Sequence, residues 1–286
     1  MTSLLGVLFD GLGYGMLLFL VSVGLAVTLG LSNFVNLAHG AFGMLGGYCC
    51  AIAMGRWNVS FAAALPLAFA VSALAGVVLE ALLFRRVYRR SHLDQVLLTI
   101  GLTFVSIAVA TFMFGPQQQA LRLPEQLSGE WTLLGVDVNV YRLFLLALGA
   151  VVALVLTLLV ERTRFGAALR AAVDSPRVAE ALGIRVALVS QIAFAGGCGL
   201  AGLGGALGVE VLGLDPTFPL KYIVYFLLVV AVGGTGTLKG PLYAALLLGV
   251  ADVAGKYYIP QVGAFIIYAL MVILLILRPQ GLVSRP

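Results

Sequence analysis

The sequence is poor in charge: only 10% of its 286 residues are charged, whereas soluble domains carry about 25%. Hydrophobic residues make up 62% of the chain. This balance excludes an ordinary soluble domain and indicates an integral membrane protein whose surface faces lipid. A series of alternating strands, which a membrane β-barrel requires, is also missing. The composition therefore predicts an all-α integral membrane protein.

Residue patterns typical of disulfide frameworks, metal sites and enzyme active sites are absent as well. The three cysteines, Cys49, Cys50 and Cys198, lie in apolar runs, and their spacing suits neither a disulfide framework nor a metal site. The chain shows no nucleophile–base pair and no cluster of metal ligands. We therefore expect no catalytic residue and no metal, and an intramembrane enzyme is the least favoured interpretation. The N-terminus lacks the basic region of a signal peptide, so we expect the first apolar run to be retained.

Long apolar runs make up most of what is present. We predict about eight transmembrane helices plus broken or re-entrant segments, forming a single domain over residues 1–286. Three of the runs are short and rich in glycine, which makes them the candidates for half-spans: 40–55, 221–233 and 241–255. The nine candidate runs lie near 11–31, 40–55, 61–83, 96–114, 142–160, 191–208, 221–233, 241–255 and 262–277.

The placement of basic residues predicts the orientation. Loops 84–95 and 161–185, Lys239 and the C-terminal tail hold 12 of the 17 Lys and Arg residues, so we assign them to the cytoplasm. The net charge of +5 therefore indicates topology rather than nucleic-acid binding. The polar loop 115–141 is then periplasmic, with a short hairpin predicted near its end. Three spans before the first basic loop place the N-terminus outside, whereas a re-entrant second run would place it inside.

The loop 161–185 is unusual because it carries five arginines in a mostly apolar chain. Such a segment must lie in water. Residues 162–173 can form one helix, since apolar Phe165, Leu169 and Val173 stand four apart on one face. The spacing therefore predicts a helix that lies against the membrane surface.

A second short helix is predicted in the same loop. Ser175 suits the N-cap position, Pro176 suits the first helical position, and Gly183 suits a left-handed C-cap. A loop that only fixes topology is the plainer interpretation. The four arginines at 85–90 already do that, however, and topology does not require capped helices. The helix pair therefore favours a docking surface for another protein.

Two stretches, 33–48 and 232–249, interrupt apolar runs with glycine and polar residues. Paired broken segments indicate a transport pathway, although close helix packing through small residues explains them equally well. In the first stretch, polar residues three apart either line the pathway or satisfy backbone groups where a helix breaks. In the second, the glycines form either a gate hinge or a tight turn. The candidate residues are Asn33, Asn36, His39, Gly40, Gly233, Gly234 and Gly236.

Three motifs resemble those of branched-chain amino acid ABC transporter permeases. They are NFVNLAHGAFGMLGGY at 33–48, T-x-F-G-x-x-x-R-A at 163–171 followed by A-x-x-x-G-I at 179–184, and VGGTGTLKGPLYAALLLG at 232–249. The motifs occur in the family's order and cover most of the chain. Among the two permease subunits of such transporters, the chain looks like the shorter one.

The resemblance implies a type II ABC importer-like permease in the bacterial inner (plasma) membrane, with its C-terminus in the cytoplasm. It implies branched-chain or related small amino acids as substrates. The implied partners are a second permease subunit, two ABC ATPase subunits and a periplasmic substrate-binding protein. ATP and Mg would bind to the ATPases, so this chain would hold no cofactor and would be no enzyme. Coupling to the ATPases would fall to Arg162, Arg164, Phe165, Gly166, Arg170, Ala171, Ala179, Glu180, Gly183 and Ile184.

Two alternatives stay open at this point. One is a permease of the related urea and short-amide importers, whose permeases often carry extra N-terminal sequence that this chain lacks. The other is a passive channel with two half-helix repeats, which the paired broken stretches suggest but which has no use for a long capped loop.

The distribution of charge also bears on mechanism. The stretch GGTGTLKGP lacks the Gly-Lys-Ser/Thr of a phosphate loop, so energy must come from another chain.

Glu80 can reach Arg85 near the cytoplasmic face, and Asp252 can pair with Lys256 near the outer face. We therefore expect no charge at the membrane midplane. That absence argues against a proton-coupled carrier and against a charge-paired substrate site in this chain.

Overall fold

The computed structural model describes residues 2–32, 34–88, 90–121, 123–133, 136–234, 237–278 and 281–283. In these ranges the chain is almost entirely helical. The helices are α1 (Thr2–Ser32), α2 (His39–Gly55), α3 (Phe61–Leu79), α4 (Arg85–Val87), α5 (His92–Phe114), α6 (Val140–Arg162), α7 (Arg164–Asp174), α8 (Pro176–Ala181), α9 (Val186–Leu212), α10 (Phe218–Gly233), α11 (Lys239–Tyr258) and α12 (Gly263–Leu277).

The remaining regular structure is small. A π-helical turn, Glu80–Phe84, continues α3 into α4, and Glu125–Leu127 forms a short 3₁₀ turn. Strands β1 (Glu130–Leu133) and β2 (Val136–Asn139) pair in antiparallel register. The hairpin predicted near the end of the polar loop is therefore present.

The predicted fold class is confirmed, because a helix covers each of the nine apolar runs. Five helices in the described part of the chain are long and apolar enough to span a membrane, and α10 and α12 are shorter apolar helices. The long apolar helices differ in their surroundings. Of the 18 most apolar consecutive residues in each helix, 83% are buried in α1, against 17% in α5 and in α6. The protein is a multi-pass membrane bundle with α1 at its centre.

Glycine contacts explain how α1 and α2 come close to α9. Gly24 of α1 lies against Gly197, and Gly46 of α2 lies against Gly202. Because glycine has no Cβ, the backbones can approach closely, which is how helices often associate in lipid. Much of the glycine in this sequence therefore serves helix packing.

The helix contacts define two ends of the bundle. We call the end with α7, α8 and the α10–α11 turn the basic end, and the end with β1 and β2 the hairpin end. Asp10 of α1 lies 3.9 Å from the Arg142 guanidinium at the start of α6, next to the hairpin. Leu282 donates its backbone N–H to the Val232 carbonyl at 2.8 Å. The first half of α1 therefore lies at the hairpin end, and the described C-terminal residues lie at the basic end.

Both predicted ion pairs are present. Arg85 contacts Glu80 at 3.4 Å beside the π-helical turn. Lys256 contacts Asp252 at 2.6 Å on α11. Both carboxylates are buried, which their spacing alone does not predict.

We expect Gly197→Ala to destabilise the fold. The added Cβ would meet the Gly24 backbone at 2.9 Å and push α1 away from α9. Overpacking of this kind costs about 1–3 kcal/mol. Thermal unfolding of the purified protein in detergent, followed by circular dichroism, would measure the loss.

Gly196→Ala is the matched control, because a Cβ at Gly196 meets no described atom within 4 Å. Alanine is the better helix former, so this variant should unfold at the same or a slightly higher temperature. Equal losses for the two variants would contradict a stabilising α1–α9 backbone contact.

Candidate functional site

The corner between α6 and α7 is built from hydrogen bonds to the last turn of α6. The Thr163 hydroxyl donates to the Leu159 carbonyl at 2.5 Å and accepts from the Gly166 backbone N–H at 3.1 Å. The Arg170 guanidinium donates to the Val160 carbonyl. A Cβ at Gly166 would overlap these same two carbonyl oxygens. The side chains of Thr163, the N-cap of α7, and of Arg170 on α7 thus satisfy carbonyls that the end of a helix leaves unpaired.

One face of α7 packs into the bundle. Leu169 and Ala172 are buried against Val189 and Ala193 of α9, and Phe165 joins them at the edge of this cluster. Phe165 and Leu169 of the predicted apolar face therefore pack here, whereas Val173 is half-buried outside this cluster. This contact, together with the corner at Thr163, connects α7 to both α6 and α9.

The second helix, α8, begins and ends where the spacing predicts. Pro176 is its first residue, and Gly183 follows it with a positive φ of 83°. The Ile184 N–H donates to the Ala179 carbonyl at 3.0 Å, which closes the end of the helix. Ser175 occupies the N-cap position, but its side chain makes no capping bond to α8.

The outer face of α8 is apolar and exposed. Leu182 is 75% exposed and Val178 is 58% exposed, at the end of the bundle that carries most of the arginines. Their charged neighbours in sequence, Arg177, Glu180 and Arg185, are exposed as well. We call this set the α8 surface: Arg177, Val178, Glu180, Leu182 and Arg185. Exposed apolar residues ringed by charge are typical of a protein–protein contact site.

The predicted coupling residues fall into two groups. Gly166 and Ala179 are buried, and Phe165, Arg170, Ala171 and Ile184 are half-buried, so these six hold the segment in place. Arg162, Arg164, Glu180 and Gly183 are exposed and accessible to a partner. Sequence reasoning missed the cap at Thr163, although a threonine just before an amphipathic run is a recognised N-terminal pattern. It also missed the exposure of Leu182.

The first helix-break stretch holds the start of α2 against its neighbours. The Asn36 side-chain oxygen accepts from the Ala38 N–H at 3.0 Å, and His39 Nε2 lies 2.9 Å from the Val21 carbonyl of α1. Gly40 lets α2 approach Pro219, which a Cβ would meet at 2.8 Å. Asn33 lies outside the described residues. These contacts fit a hydrogen-bonded bracket, and a role in lining a pathway stays a prediction.

The second stretch lies where α10 ends and α11 begins. A Cβ at Gly233 would meet the Pro241 nitrogen at 2.5 Å, and Gly234 has a positive φ of 82°. Gly236 lies outside the described residues. The turn is joined to the end of α6 by Lys239, whose ammonium lies 3.0 Å from the Glu161 carboxylate. This ion pair brings the two predicted regions together; a hinge role for the turn stays a prediction.

Comparison with known proteins identifies the kind of protein that carries this arrangement. Residues 7–275 match the family described as branched-chain amino acid transport system / permease component. The chain belongs to this permease family. The permease is 26% identical to the high-affinity branched-chain amino acid transport system permease protein BraD of Pseudomonas aeruginosa. That alignment covers 98% of this chain and 95% of BraD.

Two further relatives, which differ in length, show which type of permease subunit this chain resembles. It is 23% identical to the permease protein LivH of Escherichia coli (strain K12), over 98% of this chain and 95% of LivH. It is 27% identical to LivM of Salmonella typhimurium, but the alignment covers only 69% of that longer chain. The likeness to the shorter type of subunit is therefore confirmed. No solved structure matches the permease.

We expect Gly166→Ala to loosen the α6–α7 corner, because the added Cβ would overlap the carbonyls of Leu159 and Val160. A strain of about 1–3 kcal/mol would raise local opening of the segment about 5- to 150-fold. Limited digestion with trypsin, which cuts after the exposed arginines, would report the opening as faster cleavage.

Ala167→Ser is the matched control, because Ala167 is the exposed neighbour in the same turn and the extra atom points to solvent. Its cleavage rate should equal that of the wild type. If Gly166→Ala is also cleaved at the wild-type rate, the close contact at Gly166 does not hold the corner.

Proposed function

We propose that this permease is one of two membrane subunits of an ATP-driven importer of branched-chain amino acids. The relatives support the substrate class, since BraD, LivH and LivM are all named as permease proteins of branched-chain amino acid transport. LivH and LivM occur as two types of subunit, which favours pairing with a second, longer permease. The importer also needs two ABC ATPase subunits and a periplasmic binding protein as partners.

The charge distribution supports one orientation in a bacterial inner membrane. The arginines of α4, α7 and α8 and Lys239 all lie at the basic end, which we assign to the cytoplasm by the positive-inside rule. The C-terminus is then cytoplasmic. The hairpin end faces the periplasm, where a binding protein would deliver substrate.

The α8 surface carries the proposal, because it offers an ATPase a docking site at the cytoplasmic end. Leu182 and Val178 would fill an apolar pocket of the ATPase, and Arg177 and Arg185 would orient it by charge. Interface cores rich in apolar anchors and ringed by charge bind in this way. ATP and Mg stay on the ATPase, and the permease supplies only the pathway.

The corner at α7 provides a physical route for the coupling. A push on α8 reaches α6 through the bonds of Thr163 and Arg170, and reaches α9 through Leu169. The Glu161–Lys239 pair extends the route to the turn before α11. Motion of a docked ATPase would therefore act on three of the helices around α1.

Reconstituted uptake tests the function directly. The permease, its partner permease, the ATPases and the binding protein in liposomes should accumulate leucine only when ATP is supplied on the cytoplasmic side. Uptake that continues without ATP would favour the passive channel. ATP-driven uptake of urea but not of leucine would favour the short-amide importer.

We expect Leu182→Asp to weaken ATPase docking. A charge at the centre of the apolar patch would be buried without a partner, so the dissociation constant should rise about tenfold or more. Co-purification and biolayer interferometry with the ATPase would measure the change. ATP-driven uptake should fall in parallel.

Trp131→Asp is the control, since Trp131 is an exposed apolar residue of the hairpin end. It makes a similar change far from the α8 surface and should leave ATPase affinity unaltered. Normal affinity in Leu182→Asp would show that the ATPase docks elsewhere.

A further inference from the structure

A cavity of about 440 Å³ opens among the helices at the hairpin end of the bundle. Side chains of α1, α6, α10, α11 and α12 converge on it, including Tyr14, Arg142, Tyr222, Asp252 and Tyr268. The transport pathway predicted from the broken stretches does not include these residues. The cavity combines one carboxylate, several cationic groups and a wall of tyrosines.

Asp252 is the buried acid of this cavity, with only 1% of the residue exposed. One of its oxygens, Oδ2, accepts from Lys256 at 2.6 Å. The other oxygen, Oδ1, is buried and has no hydrogen-bond partner among the described residues. A buried carboxylate oxygen without a donor is costly, so the geometry calls for a donor from within the cavity. The Lys256 pair therefore satisfies only one of the two carboxylate oxygens.

Arg142 supplies the opposite charge to the same cavity. Its Nη1 atom is buried and likewise has no hydrogen-bond partner in the described part of the chain. Its Nε atom makes only a long contact of 3.9 Å to Asp10. Lys221 adds a second cation, 5.2 Å above the Tyr222 ring. One wall of the cavity therefore presents donors suited to a carboxylate.

The remaining wall is aromatic and apolar. Tyr14 and Tyr222 are buried, and the ring of Tyr225 lies 6.1 Å from that of Tyr222 and 6.2 Å from that of Tyr268. Val253 lies beside them. Ligand sites for small molecules are mostly apolar with a few well-placed polar groups, which describes this cavity.

We propose that this cavity binds a zwitterionic α-amino acid as it enters the permease from the hairpin end. The ammonium group donates to Asp252 Oδ1, and the carboxylate accepts from Arg142 Nη1. The tyrosines and Val253 enclose the aliphatic side chain. The inference rests on the proposed function for its substrate class. It adds a charge-paired binding site within the membrane subunit, contrary to the expectation drawn from the distribution of charge along the sequence.

Protection of a cysteine from alkylation tests the site without ATP or partner proteins. Val253→Cys, in the full chain with Cys49, Cys50 and Cys198 replaced by alanine, places the reporter at the cavity. The protein in lipid nanodiscs is treated with a small maleimide in the presence of leucine, 3-methylbutylamine or 4-methylpentanoate. The last two ligands are leucine without its carboxylate and leucine without its amino group. Leucine should slow the reaction at concentrations about tenfold or more below either analogue.

Substitutions of the charged groups separate binding from structure. In Asp252→Asn the leucine concentration for half-protection should rise about tenfold or more, because a charged hydrogen bond is lost. Lys256→Gln breaks the same ion pair but leaves the carboxylate available to the leucine ammonium, so the concentration for half-protection should rise less than in Asp252→Asn. Arg142→Gln should remove the advantage of leucine over 3-methylbutylamine. Glu130→Gln on the hairpin removes one negative charge, as Asp252→Asn does, and it should leave the leucine concentration for half-protection unchanged.

Several outcomes would overturn the proposal. If leucine gives no protection, the cavity is not an amino acid site. If 3-methylbutylamine protects as well as leucine, the cavity binds simple cations. If Asp252→Asn and Lys256→Gln have equal effects, the pair serves only to stabilise α11. Reconstituted uptake tests the proposed function separately. If the wild type does not take up leucine with ATP, the proposed function is wrong, whereas protection of Val253→Cys by leucine would still show that the cavity binds an amino acid.

Discussion

Close backbone contact at glycine is the constraint on which the rest of the structure depends. Lipid tails are as apolar as the side chains, so there is little hydrophobic driving force between helices in a membrane. The helices associate instead through van der Waals contact and hydrogen bonds. Gly24, Gly46, Gly197 and Gly202 bring α1, α2 and α9 within backbone distance. Because α1 is enclosed by other helices, nearly all of its side chains can be apolar. The other helices are positioned by how they meet this core.

The functional surfaces lie at the two ends of that core. At the basic end, the Thr163 and Arg170 side chains satisfy the last carbonyls of α6, and this turns α7 and α8 into an ordered element. At the hairpin end, Asp252 and Arg142 face a cavity with unpaired polar atoms. We propose that one end contacts a protein and that the other receives a small molecule. The bundle between them contains the features of a transporter subunit.

Most of the fold could be predicted from the sequence because each apolar run is long and its ends are marked by local residues. Pro176 and Gly183 define α8 by their own backbone preferences, which no distant contact needs to supply. The internal bond of Arg170 could not be predicted, since its partner depends on how the chain turns at Thr163. The spacing of Asp252 and Lys256 predicts their ion pair near the outer face. The burial of Asp252 arises from α1 and α10, which are distant in sequence.

The Glu161–Lys239 contact has a consequence for the transport cycle. Both side chains are about half exposed, and an exposed ion pair contributes only about 0–1 kcal/mol. A contact this weak adds little to the stability of the junction between the end of α6 and the start of α11. It can open and re-form at each turnover with little change in free energy. Its strength also falls as salt shortens the Debye length to about 8 Å at physiological ionic strength. The link between the end of α6 and the start of α11 is therefore a reversible ion pair whose strength depends on the ionic strength.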